Sequence, residues 1–221
     1  RDPRPLRQVV GAVLGRHGVD SRALDRQRGP RPGRGSVPGL SSDLRSIRAR
    51  DSEGRYVQVD FPGLSVVSLY VPSGSSSDAA QARKDNFMEP FYEHLKALRR
   101  KRREFIICAD WNTCHQNIDL KNWRSNQKNS GFMPHERAWL DRIYDELGWV
   151  DIFREITEDP DLYTWWSNRG QAWANNVGWR LDYMLVTPGL SGSGLRQAIY
   201  RDERFSDHAP LTIDFDIPAP A

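Results

Sequence analysis

Two short polar clusters hold the side chains best suited to chemistry. Asp110 and Asn112 follow directly on the apolar run Phe105-Ile-Ile-Cys108. A strand would therefore deliver both, at i and i+2, to one loop mouth at a sheet edge. Carboxylate and amide oxygens are hard donors that suit Mg²⁺. Ser206-Asp207-His208-Ala209-Pro210 sets a carboxylate beside an imidazole, just ahead of the last apolar run, Leu211 to Ile217. There His208 is placed to donate to a phosphate oxygen, and a carboxylate partner would hold its tautomer and raise its pKa. Asp182 lies within the run Leu181 to Val186, where an ionised carboxylate is costly unless a donor meets it. An Asp182–His208 pair would answer that cost. Taken singly, Asp-x-Asn after a strand also describes a turn, and Ser-Asp-His an ordinary loop.

Aromatic residues gather in Tyr163-Thr-Trp-Trp166 and Asn176-Val-Gly-Trp-Arg-Leu-Asp-Tyr183. Of the 8 Trp, at least half are expected in the core. A slot built from the others beside a metal site would hold a sugar or a base, and stacking on a base is worth about 1–3 kcal/mol.

These groups need a scaffold, and the apolar pattern supplies one from residue 51 onward. Tyr56-Val-Gln-Val-Asp-Phe61 alternates apolar and polar residues, and Leu64 to Val71 is short and β-branched, with the turn signal Pro62-Gly63 between them; these read as neighbouring strands. After the Gly/Ser-rich loop Pro72 to Ser77, Phe87, Phe91, Leu95 and Leu98 fall at helical spacing. The cluster Arg99 to Arg103 then reads as a solvated helix end, where the macrodipole favours cations. Glu104 to Ala109 is a buried strand, and the polar stretch Asp110 to Gly131 is too long for a routine connection. Pro134 opens a helix through Trp139, Leu140 and Ile143 that stops at Gly148. Leu181 to Val186, Gln197 to Tyr200 and Leu211 to Ile217 read as further strands. The pattern predicts an α/β (α+β) fold, a two-sheet β-sandwich flanked by helices, without a dinucleotide-binding glycine fingerprint.

Composition bounds the function classes. The 221 residues suit one domain, and no apolar stretch approaches the roughly 18 residues of a membrane span. No leader-like opening is seen, so a cytoplasmic, monomeric protein without a membrane partner is expected. Cys108 and Cys114 are too few for a disulfide framework and read as reduced thiols. The net charge of +3 hides an asymmetry, because residues 1–50 carry 12 Arg, 4 Asp and no Lys. The remainder is therefore net acidic, and overall basicity says nothing about what the main domain binds.

In order, Leu69-Tyr-Val-Pro-Ser-Gly74, Ala109-Asp-Trp-Asn112, Asn176 to Tyr183 and Ser206 to Pro210 resemble the motifs of the exonuclease III family of AP endonucleases, within the DNase I-like endonuclease/exonuclease/phosphatase fold. Lys121 to Phe132 and Pro134 to Asp141 resemble its bacterial branch. The resemblance implies a DNase I-like four-layer sandwich and a metal-dependent phosphodiesterase of base excision repair. It implies action on double-stranded DNA with abasic sites or 3′ ends. By the same resemblance Asp110 orients or deprotonates the attacking water, Asn112 positions it, and Tyr70 contacts the scissile phosphate. His208 stabilises developing charge, and Asp182 orients the imidazole. Asp110, Asn112, Asp207 and His208 hold Mg²⁺ or Mn²⁺, which polarises the ester. Trp165, Trp179 and Leu181 form a slot that admits a flipped sugar lacking its base. Two other classes stay open: a non-catalytic nucleic-acid-binding regulator resembling the catabolite repression control protein, and a phosphatase or lipid phosphodiesterase of the same fold.

The departure lies in residues 1–50, which hold 7 of the 17 Gly, 5 of the 14 Pro and no aromatic residue. Such a segment cannot easily bury a core and reads as disordered or linker-like, or as a basic arm. Its composition is also what an out-of-frame reading of GC-rich DNA would give. The family's N-terminal strands carry an Asn and a metal-binding Glu, and residues 1–50 contain neither type. The folded domain is expected over 51–221 with its N-terminal part incomplete.

Overall fold

The computed structural model describes residues 8–12 and 54–217. In chain order its strands are β1 (Gln8–Ala12), β2 (Tyr56–Phe61), β3 (Leu64–Tyr70), β4 (Glu104–Asp110), β5 (Val150–Asp151), β6 (Trp165–Trp166), β7 (Gly178–Trp179), β8 (Asp182–Val186), β9 (Gly194–Ile199) and β10 (Leu211–Phe215). Its α-helices are α1 (Asp78–Leu98), α2 (Trp123–Asn126), α3 (Pro134–Asp145) and α4 (Ile152–Ile156). One sheet has the order β2-β3-β4-β8-β5, a second β1-β10-β9, and β6-β7 is a two-stranded ribbon. The composition of residues 1–50 places them outside the domain, yet Gln8–Ala12 pairs antiparallel with β10. That stretch contains the β-branched pair Val9-Val10. The other residues of 1–50 lie outside the described residues.

β2 and β3 form the expected hairpin, with Gly63 at φ +73 in the turn. β3 and β4 are parallel neighbours, a pairing that needs a long crossover, and α1 provides it. This helix starts at Asp78, nine residues before the apolar spacing begins at Phe87, because the Ser77 hydroxyl caps the Ala80 N–H at 3.1 Å. The basic cluster after it is more than a solvated end: Arg99 donates to the Leu147 carbonyl and Arg103 to the carbonyls of Phe61 and Leu64. Among the described residues no helix is long and apolar enough to cross a membrane.

The two-residue period of a strand splits the central sheet into two faces. Phe105, Ile107 and Ala109 share one core with Phe91, Leu95 and Leu98 of α1 and Trp139, Leu140 and Ile143 of α3. Ile106 and Cys108 turn the other way, into a second core with Met184, Val186, Ile152, Phe153, Leu211, Ile213 and Phe215. A helix layer, the five-stranded sheet and the second sheet thus stack. Full burial of each large apolar side chain contributes about 1.5–3 kcal/mol. Trp111, Trp139, Trp149 and Trp166 are in the interior, as half of the tryptophans should be. Continuing the alternation past Cys108 puts Asp110 on the inter-sheet side, at the end of the sandwich.

Candidate active site

Strand register assembles the site. β3 and β4 align Tyr70 with Asp110, and β4 and β8 align Asp110 with Asp182. Three polar residues therefore stand in a row on adjacent strands. His208 arrives from the segment before β10, tied to the ribbon strand by Trp166 N–H to the Asp207 carbonyl (3.0 Å) and Ala209 N–H to the Thr164 carbonyl (2.8 Å). Thr164 is the joint: its buried hydroxyl accepts the N–H groups of Leu181 (3.0 Å) and Asp182 (3.1 Å). The segment carrying His208 and the strand carrying Asp182 are held by one residue.

The predicted pair forms, with His208 Nδ1 2.9 Å from Asp182 Oδ2. The opposite ring nitrogen, Nε2, faces Asp110 Oδ2 at 3.8 Å. That separation is too long for a hydrogen bond and leaves both groups able to meet an atom placed between them. Burial alone would pull the imidazole down, but the Asp182 carboxylate, with Asp110 and Asp207, outweighs it and lifts His208 to about 9. Asp110 is pushed up to about 7, first by burial and then by the nearby Asp182 charge. At neutral pH the site therefore holds an imidazolium beside a carboxylate that retains basicity.

Asn112 turns back on this pair. Its backbone is left-handed (φ 49°). Its N–H donates to Asp110 Oδ1 (2.9 Å), and its amide donates to Asp110 Oδ2 (3.0 Å) and the Val71 carbonyl (2.8 Å). Both oxygens of Asp110 are thereby fixed. Asp207 is on the same segment as His208, yet its carboxylate accepts from the Trp165 indole (3.0 Å) and the Ser206 hydroxyl (3.1 Å). Burial would raise its pKa, but the Trp165 bond, the His208 charge and the Ser206 bond outweigh it and hold the pKa down.

Beside this row lies a cleft of about 610 Å³ whose walls include Trp165, Trp179, Leu181, Asn112 and His208. Trp165 and Trp179 meet edge-on at 6.3 Å, backed by Leu120, Phe132 and Leu181. The three predicted slot residues thus come together. The rim is polar and charged, with Ser73, Ser75, Asn129, the cations Lys128 and Arg169, and the carboxylate of Asp78. Tyr70 is level with Asp110 but is not among the cleft's lining residues, and the Arg55 guanidinium sits over its ring at 5.0 Å.

Asp110, Asn112 and His208 converge, and Asp207, whose charge also acts on His208, accepts from Trp165 and Ser206. Among the described residues no group of three or more His, Cys, Asp or Glu side chains is arranged to hold an ion. Mg²⁺ is commonly held by one or two carboxylates, with waters and substrate phosphates filling the rest of its shell, and Asp110 and Asn112 supply oxygens of that kind.

Some supports were not singled out from sequence. Asp119 accepts from Arg180 (2.8 Å) and Arg154 (2.7 Å), and Arg180 also reaches Asp151 (2.8 Å). This buried network orders the long loop after β4. The available signal was an Asp and an Arg inside otherwise apolar or aromatic surroundings. Lys84 and Glu136 were hidden as ordinary helical residues. Both cysteines are free and buried.

The sequence model of the endonuclease/exonuclease/phosphatase family matches residues 4–208, beginning inside the segment whose composition sets it apart. The DNA repair nuclease APEX1 of Danio rerio is 37% identical over 168 residues, covering 74% of this chain and 52% of that protein. An exodeoxyribonuclease of Bacillus subtilis (strain 168) is 33% identical over 172 residues, covering 77% and 68%. The chain thus spans about half the length of the first relative and about two thirds of the second. Among solved structures, an AP endonuclease from Archaeoglobus fulgidus superposes with a TM-score of 0.70 at 28% identity, covering 81% of this chain and 69% of that one.

Proposed function

The chain belongs to the endonuclease/exonuclease/phosphatase family, and on that premise we propose that it is a DNA-repair phosphodiesterase of exodeoxyribonuclease III type. Its substrates would be double-stranded DNA with abasic sites and DNA 3′ ends. One observation carries this reading: His208 Nε2 and the Asp110 carboxylate face each other across 3.8 Å beside an aromatic cleft. Phosphoryl transfer asks the protein mainly to position groups and neutralise charge. Asp110 takes the proton of the attacking water, oriented by Asn112. His208, charged through Asp182, donates from Nε2 to a non-bridging phosphoryl oxygen. The Trp165–Trp179–Leu181 slot receives a sugar without its base, and Lys128 and Arg169 meet flanking phosphates. We include Mg²⁺, replaceable by Mn²⁺, as the cation that offsets phosphate charge.

The alternative is a non-catalytic nucleic-acid-binding regulator of the same fold, a reading that the presence of Asp110, Asn112, Asp207 and His208 disfavours. The test is incubation of the purified chain with an abasic duplex, a phosphoinositide and single-stranded RNA, with Mg²⁺ or Mn²⁺. Incision of the duplex alone is expected, falling about 10²–10⁴-fold in Asp110→Asn and in His208→Asn with unchanged circular dichroism. Binding without cleavage in all three proteins would establish the regulator instead.

A further inference from the structure

Directly beneath the site, Lys84 of α1 and Glu136 in the first turn of α3 form an ion pair at 2.6 Å, both side chains 0% exposed. A buried ion pair is seldom kept for stability, because its desolvation cost rivals its attraction and an apolar pair of similar volume often folds as well. The other bonds of this pair lead to the cleft. Lys84 Nζ donates to the carbonyl of Asn112 at 2.8 Å. Glu136 Oε2 accepts the N–H groups of Gly131 (2.7 Å) and Met133 (2.9 Å), and Oε1 also accepts from Gln81 (3.2 Å).

These contacts bear on the least favourable backbone in the site. Asn112 adopts φ 49° although it is not glycine, a conformation that persists when its surroundings over-determine it. Its N–H is tied to Asp110, and its carbonyl is tied to Lys84. Gly131, at φ +92, passes so close that a Cβ there would lie 3.1 Å from the Asn112 carbonyl oxygen and 3.3 Å from the Trp179 ring. The Gly131 carbonyl accepts the Cys114 N–H at 2.7 Å. Water-positioning loop, sugar-slot wall and two helices thus meet at one buried charge pair.

We infer that Lys84 and Glu136 are positioning residues: the pair clamps the Asn112 loop against the Gly131 loop and so sets the distance between the hydrolytic groups and the aromatic slot. The kinetic part of this inference rests on the function proposed above; the structural part does not. The decisive variant is Lys84→Met/Glu136→Gln in the full chain. It leaves no uncompensated buried charge, and its glutamine oxygen still accepts the Gly131 and Met133 N–H groups, so the bonds removed are those of Lys84 to Asn112 and Glu136 and that of Gln81 to the Oε1 position.

Amide hydrogen exchange and abasic-duplex kinetics are measured on this variant and on wild type. The clamp predicts a melting temperature close to wild type and unchanged exchange in β4 and β8. It predicts exchange faster by an order of magnitude or more at the Asn112 and Cys114 amides. It also predicts a fall in kcat on the order of 10–100-fold with KM within about twofold, as misplacement by about an ångström produces. Lys84→Arg, which keeps a donor near Asn112, should recover part of the loss. Unchanged exchange at Asn112 and Cys114 in a folded double variant overturns the clamp, whatever the activity. Faster exchange there without any detectable cleavage by wild type keeps the clamp and removes the proposed function instead.

Discussion

Replacing Asp182 by Asn tests whether the carboxylate behind His208 sets the charge of the imidazole. The two are joined at 2.9 Å, and His208 is lifted from 6.5 to about 9 against the downward pull of its own burial. Such a shift corresponds to about 3 kcal/mol of preference for the charged ring. Without Asp182 the burial remains, opposed only by Asp110 and Asp207, so His208 should titrate below its wild-type value. If it returns to the ordinary 6.5, the charged fraction near pH 7.5 falls from about 0.97 to about 0.1, a rate loss of about tenfold from protonation alone. Because the folded-state pKa is raised, the associated stability is present below about 6.5 and lost as pH rises through about 9. The variant should therefore be most destabilised near pH 6 and approach wild type above pH 9. NMR titration of the His208 ring, urea unfolding at both pH values and cleavage rates from pH 5.5 to 10 supply the assay. A wild-type His208 titrating below 7, or a cleavage defect of the same size at every pH, would refute the reasoning.

Trp179→Ala should weaken incision at abasic sites more than 3′ exonuclease action on intact DNA, because it removes one wall of the slot; equal losses would give the partly buried Trp179 a packing role instead. Asp119→Asn should cost about 3–5 kcal/mol in urea unfolding, since it strips a partner from Arg180, which is 1% exposed. Asp119 is held down at about 2 by Arg180 and Arg154 despite burial, so this stability is present above about 4 and disappears as pH falls through about 2. Calorimetric titration with Mg²⁺ should show weak binding without saturation in the low millimolar range, because losing one supporting ligand alone costs about 10–100-fold. Tight saturable binding that vanishes in Asp110→Asn would prove the donor set complete.

What could be read from the chain followed from two kinds of periodicity. Alternation and β-branching located β2, β3, β4, β8 and β10, and a carboxylate inside an apolar run implied a donor, which the structure supplies as His208. Pairs at short separation, such as Asp110 and Asn112, were legible because a strand end fixes where they point. Strand β1 was not legible, since five residues of weak pattern within an Arg/Gly/Pro-rich segment give no period to count. Nor was the Lys84–Glu136 pair, whose partners lie 52 positions apart on two helices.

Strand geometry also sets where Asp207 points. The segment carrying Asp207 and His208 bridges to Trp165 in β fashion. Successive residues of an extended segment point to opposite sides. His208 then turns toward Asp182 and Asp110, while Asp207 turns toward the Trp165 indole. The bond fixes the orientation of one wall of the sugar slot by means of a carboxylate next to the reacting group. Asp207 therefore couples the slot to the hydrolytic row: Asp207→Asn, whose amide oxygen still accepts from the indole, should preserve the slot and lose only charge, whereas Asp207→Ala should loosen Trp165 as well. Abasic-site KM separates the two outcomes, since a purely electrostatic Asp207 would leave it equal in both variants.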